Sequence, residues 1–178
     1  MALLAEELVE EWLNRQGYFT IRGLKLGVHE MDLLAVRPRP DGTLDCRHIE
    51  VQASMRPVSY ITQVTKDQQK HGISRNSAKE RSDADLRAGI AEWIEKKFDH
   101  REKARLRGRL AQGVWSRELV VNVVKHKLEI ELIQALGISV LYLPAILAEM
   151  TNSDRPVEAA AGAHLLDLVS MARPLSGS

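Results

Sequence analysis

The stretch HEMDLLAV, residues 29–36, reads as a strand of a buried sheet into which two carboxylates, Glu30 and Asp32, have been set. Shortly after it, HIEVQAS, residues 48–54, repeats the pattern with Glu50. Side chains alternate across a strand, so Glu30 and Asp32 point together, opposite Met31 and Leu33, and Glu50 and Gln52 share one face while Ile49, Val51 and Ala53 share the other. If the two strands pair, Asp32 and Glu50 sit side by side. Like charges placed so destabilise a sheet, and burying them costs several kcal/mol per ion unless something compensates. A divalent cation is the expected compensation, and an all-oxygen donor set suits Mg2+ or Mn2+ rather than zinc.

Working outward, residues 2–16 form the clearest helix. Ala5, Leu8, Val9, Trp12 and Leu13 keep the spacing of one buried face, with Gly17 as its stop. Segments 18–26, 30–36 and 47–53 read as an antiparallel meander, broken at Gly27 and by the turn RPRPDGT. Helices are expected over 59–71 and 83–110 with SRNSAKERSD as a polar connection. A strand over 118–124, a helix over 126–136, a strand over 138–143 and two helices, 144–151 and 156–172, complete the chain. This order predicts an α/β domain with a mixed sheet of about five strands, covered by helices on both faces. One domain spanning 1–178 is expected, its helical basic segment at about 83–116 lying between core strands.

On the first helix the apolar stripe centres near Leu8 and Val9. Glu6 falls at its border and can look inward, whereas Glu7 and Glu11 are expected to face solvent. Each acid has an ordinary explanation when taken alone. Glu6 near a helix N-terminus is favoured by the helix dipole, Asp32 could be an edge carboxylate in solvent, and Glu50 could pair with Arg47 or Arg22. Their joint placement argues for a shared site.

Glu6 on a helix ending in NRQGY, then HEMDLLAV with Asp32, then IEVQ with Glu50 and Gln52, resembles the PD-(D/E)XK nuclease superfamily, whose fold is called restriction endonuclease-like. Small prokaryotic members such as the archaeal-type Holliday-junction resolvases show a similar helix, meander and acidic hairpin. The resemblance covers residues 6–52. It implies a three-layer fold and metal-dependent hydrolysis of phosphodiester bonds in DNA. Asp32, Glu50 and the Val51 carbonyl would hold Mg2+ or Mn2+, and Glu6 would bind directly or through water. Gln52 stands where the family pattern has lysine and would orient the attacking water. A lysine on the following helix, Lys66 or Lys70, could take the missing role, although a solvent-facing position is the plainer reading for each. The alternative is a catalytically inactive nuclease-fold module that binds nucleic acid.

The charge pattern bears on the same question. Of 25 Lys and Arg against 24 Asp and Glu, residues 96–127 hold ten against three, so a net +1 hides a basic block. Clustered arginine suits phosphate binding, and Arg101, Arg105 and Arg109 share a helix face by their spacing. Such a run also serves simply as a solvated helix face. Trp115 and Trp93 are possible base-stacking residues but more commonly core, as Trp12 is by its place in the stripe. His29 and His48 flank the acids and read chiefly as strand-end residues, and Cys46 as a packing residue. One cysteine excludes an internal disulfide, no run resembles a membrane span, and no charged leader precedes the apolar residues, so a cytoplasmic location is expected. A homodimer is expected as well, because cutting two strands favours paired sites.

Overall fold

The computed structural model describes residues 2–54 and 56–152. Helix α1 (Ala2–Arg15) carries the predicted stripe, with Ala5, Leu8, Val9, Trp12 and Leu13 all buried. It ends where Gly17 takes φ +82°, which lets the Gly17 N–H reach the Asn14 carbonyl and the Tyr18 N–H reach that of Leu13. Those two bonds satisfy carbonyls the last turn would otherwise leave open.

Strands β1 (Phe19–Leu26), β2 (His29–Pro38) and β3 (Leu44–Gln52) follow as an antiparallel meander. The chain then leaves the sheet through α2 (Lys66–Lys70), α3 (Asp83–Ile94), a π-helical turn (Glu95–Asp99) and α4 (Arg101–Leu110). It returns as β4 (Trp115–Val121), α5 (Lys127–Ala135), β5 (Ser139–Tyr142) and α6 (Leu143–Asn152). The sheet order is β1-β2-β3-β4-β5, with β4 parallel to both β3 and β5. The sheet is thus mixed and five-stranded, as expected.

Period-two alternation divides the core into two layers. Leu33, Ala35, Ile49, Val51 and Val120 face α1 and α6. Leu119, Val121 and Ile138 face α3, α5 and the π turn through Ile90, Trp93, Phe98 and Ile133. Among the described residues no helix is long and apolar enough to cross a membrane.

The structure departs from expectation in four places. The helix expected over 59–71 shrinks to Lys66–Lys70, started by a Thr65 capping box. The preceding β-branched residues disfavour helix, and Glu129, buried on α5, accepts from the Ile61 N–H at 2.6 Å, the Thr62 N–H at 2.9 Å and the Thr62 hydroxyl at 2.6 Å. The helix expected over 83–110 is broken, because the π turn ends at His100 with ψ 131° and α4 starts afresh from it. Strand β4 begins and ends three residues early, tracking Cys46–Gln52 of β3 residue for residue. Asn122 turns out to bond the Ser54 carbonyl, and Val124 survives only as an isolated bridge to Val58. Glu11 is buried beside Arg15 at 2.7 Å rather than facing solvent. The helix expected over 156–172 lies outside the described residues.

Removing the Glu129 carboxylate strands three buried donors. Glu129→Ala is expected to lower unfolding free energy by about 3 kcal/mol and Glu129→Gln by less, as read from urea titrations.

Candidate functional site

The site arises where the sheet forks. Pairing of β2 with β3 runs from Pro38 back to Leu33, opposite Ile49. Before that point His29–Met31 stay with β1, while Glu50, Val51 and Gln52 follow β4. Asp32 and Glu50 therefore stand on either side of the opening. The Asp32 carboxylate takes the bond that a neighbouring strand would have made, accepting the Val51 N–H at 2.8 Å.

A cleft of about 750 Å3 opens at this fork, lined by Asp32, Val51, Glu6, Glu30, Arg22 and Lys97 among others. Glu6 does look inward, and burial together with the Asp32 charge raises its pKa. Glu7 instead pairs with Arg22 at 3.3 Å and Glu10 with the same guanidinium at 2.8 Å. Burial, reinforced by the charge of Glu50, pushes the Asp32 pKa up to about 6.

Glu50 is completely buried and fully engaged. Its Oε2 accepts from Lys97 Nζ at 2.5 Å, and its Oε1 from Lys103 Nζ at 3.2 Å, with His48 Nε2 at 3.1 Å. Lys97 Nζ also lies 3.9 Å from Asp32 Oδ2, so its ammonium stands between the two acids. Burial opposes that ammonium, but Glu50 and Asp32 prevail and hold its pKa above the ordinary value. For Lys103 burial prevails and lowers it. The partners foreseen for Glu50 are used elsewhere, Arg47 by Glu118 at 2.5 Å and Arg22 by Glu7 and Glu10.

Both lysines come from the inserted segment. The π turn delivers Lys97 while sending its neighbour Phe98 into the core. On α4, Lys103 and Arg107 face inward one helical turn apart. Arg107 Nη1 donates to His48 Nδ1 at 2.8 Å and to the Phe98 carbonyl at 2.8 Å. Burial, together with the Arg107 and Lys103 charges, pushes His48 down to about 2, so its ring is neutral. Arg101, Arg105 and Arg109 are exposed on the same helix.

Gln52 is placed differently from expectation. In the amide orientation that satisfies both neighbours, its Nε2 donates to the Ile61 carbonyl at 3.3 Å and its Oε1 accepts from the Trp93 indole at 3.0 Å. It lines a second pocket with Tyr60 and Arg81, not the cleft. Lys66 and Lys70 are exposed on α2 and do not line the cleft either. Trp93 belongs to the core, and the His29 ring lies against that of His100, centroids 3.6 Å apart and planes tilted by 33°. The sequence signal for Lys103 and Arg107 was their four-residue spacing within the basic block, whereas Lys97 carried none without the π turn.

Among the described residues no group of three or more His, Cys, Asp and Glu side chains converges as a metal site. The donors at the fork, two carboxylates and the Val51 carbonyl, do fit a hard divalent cation in kind. Lys97 holds the position between the carboxylates, so a metal there would have to displace its ammonium.

No family model matches the chain, and no curated protein matches its sequence. Among solved structures it is similar to the crystal structure of a protein of unknown function, AF1548, at 12% identity and TM-score 0.48, covering 96% of this chain and 78% of that one.

The raised Asp32 pKa sets a pH dependence. The folded chain holds this proton more tightly than the unfolded one, so stability falls as pH rises from the ordinary 3.8 through about 6 and stays low above it. Asp32→Asn removes that slope. In metal-free urea titrations the variant is expected to gain on the wild type above about pH 6 and to lose its advantage near about pH 4.

Proposed function

We propose that the chain is a metal-dependent endonuclease that hydrolyses phosphodiester bonds in DNA, as its resemblance to PD-(D/E)XK nucleases implies. The observation that carries the reading is the meeting of Asp32 and Glu50 at the sheet fork with a cation, Lys97 Nζ, between them. A protein that stabilises a positive charge at this point has the donors for Mg2+ or Mn2+. Asp32, Glu50 and the Val51 carbonyl would hold the ion, and Glu6 would join directly or through water. When bound, such an ion lowers the pKa of water and polarises the phosphoryl group.

The chain's own residues supply the rest. Lys97 replaces Gln52 in the role of the family lysine, because its ammonium reaches the carboxylate pair and, released from Glu50, can hold a phosphoryl oxygen as negative charge grows there. Lys103 holds Glu50 Oε1 from the buried side. Arg101, Arg105 and Arg109 contact backbone phosphates, fixing position without reading sequence. A cytoplasmic homodimer presenting two such sites completes the proposal.

One observation favours a second reading. Glu50 already has Lys97, Lys103 and His48 as partners, a complete ion network that needs no metal. On that reading the fork is structural and the domain only binds nucleic acid through α4.

Plasmid, single-stranded and four-way-junction DNA incubated with Mg2+ or Mn2+ separates the two. The enzyme cuts at least one substrate, Glu50→Ala abolishes cutting, and Lys97→Ala reduces it by about 10²-fold or more. Reversing charge at Arg105 and Arg109 weakens retardation of DNA in gels, most visibly at low salt. Retardation without cutting by any protein leaves the binding module; absence of both removes either reading.

A further inference from the structure

Behind Glu50 lies a chain of contacts with only one consistent assignment of protons. Arg107 has donors and no acceptor. Both hydrogens on its Nη1 are used, one toward the Phe98 carbonyl and one toward His48 Nδ1, each at 2.8 Å. His48 Nδ1 must therefore present a lone pair. A neutral imidazole carries its one proton on the other nitrogen, so His48 Nε2 is the N–H that meets Glu50 Oε1 at 3.1 Å. The opposite tautomer would set one N–H against a guanidinium donor and leave a lone pair facing a carboxylate.

His48 and Glu50 are both wholly buried, so no water competes for these contacts. The ring is fixed from the side as well, since Phe98 meets it edge-on with centroids 4.8 Å apart. Lys103 shares Oε1 at 3.2 Å, and Oε2 is the atom turned toward Lys97.

The geometry points to Arg107 as a positioning residue for the proposed site: by locking His48 in the Nε2–H tautomer it holds Glu50 Oε1 and leaves Oε2 turned toward Lys97, which lines the cleft. The inference rests on the site proposed above and adds to it a residue that touches neither metal nor substrate. Outer partners of this kind fix the orientation of ligands, and their loss commonly costs 10–100-fold in metal affinity.

The test is NMR on the full chain without metal. Long-range proton–nitrogen correlations are expected to show His48 Nδ1 unprotonated and Nε2 protonated in the wild type. The Glu50 side-chain carboxyl carbon, assigned by its loss in Glu50→Gln, is expected to shift in Arg107→Met, which removes the donor, and to return toward the wild-type position in Arg107→Lys, which restores one. Arg107 has no contact with Glu50, so general loosening gives no such rescue. An Nδ1-protonated His48 in the wild type overturns the proposal even if no variant folds, and so does a Glu50 carbon indifferent to Arg107→Met. Calorimetric titration with Mn2+ is the separate arm, in which Arg107→Met is expected to bind about tenfold more weakly than the wild type. A wild type that binds no Mn2+ overturns the metal reading of the cleft, and the NMR result then decides the tautomer lock alone.

Discussion

Glu50 is the constraint on which the rest of the structure turns. A carboxylate at zero exposure in the middle of a sheet costs several kcal/mol to desolvate, and it is tolerated only when charge and hydrogen bonds surround it. Lys97, Lys103 and His48 provide these, and all the cationic help comes from the segment inserted between β3 and β4. The consequence for packing is unusual. Lys103 is the only buried residue of α4, with Leu106 half-buried and Leu110 exposed, so the helix has almost no apolar face with which to dock. It is held to the sheet by Lys103 on Glu50 and Arg107 on His48. The acid and the helix are mutually dependent, each leaving the other unsatisfied if removed.

The π turn makes this geometry reachable. Helix α3 packs Leu86, Ile90, Trp93 and Ile94 against the sheet. At the end of that face the extra residue of a π turn changes the phase, so Phe98 still enters the core against Trp93, with centroids 5.6 Å apart, while Lys97 swings to the cleft. Such turns recur at functional sites because they redirect one side chain without ending the helix. His100 then resets the chain, accepting the Glu102 N–H at 3.4 Å as the cap of α4.

Much of the framework was legible. The period-two pattern of HEMDLLAV and HIEVQ put Asp32 and Glu50 on one face of neighbouring strands, and the stripe on α1 singled out Glu6, because both inferences use only local geometry. What local geometry cannot supply is the competition among partners. Gln52 shares the Glu50 face as the alternation requires, yet its amide is taken by the Ile61 carbonyl in the connection after β3 and by the Trp93 indole, a residue distant in sequence. Glu11 looked like a solvent acid on the helical wheel but is buried beside Arg15. Residues 83–110 contain no proline to mark a break, so a continuous helix was the natural reading and Lys97 remained hidden. Segment 59–65 failed for a related reason, since the carboxylate that replaces its helical hydrogen bonds comes from Glu129, 67 and 68 residues away from the donors it serves.

The charges of α4 and the cleft pull in opposite directions, and this bears on how a polyanion would be handled. The outward arginines offer a favourable surface for phosphates, whereas Glu6, Glu30 and Asp32 line a cleft with Arg22, already paired, and Lys97, committed to Glu50. A phosphodiester drawn in by α4 meets carboxylates at the fork, and repulsion there is strong because partial burial keeps the dielectric low. Only an added cation reverses that field. Under the proposed function the same ion that neutralises Asp32 would loosen Lys97 from Glu50, since both occupy one position between the carboxylates. Admission of the phosphate and release of the lysine are then one electrostatic event, governed by a carboxylate pair in which the Val51 N–H holds Asp32 and His48, backed by Arg107, holds Glu50.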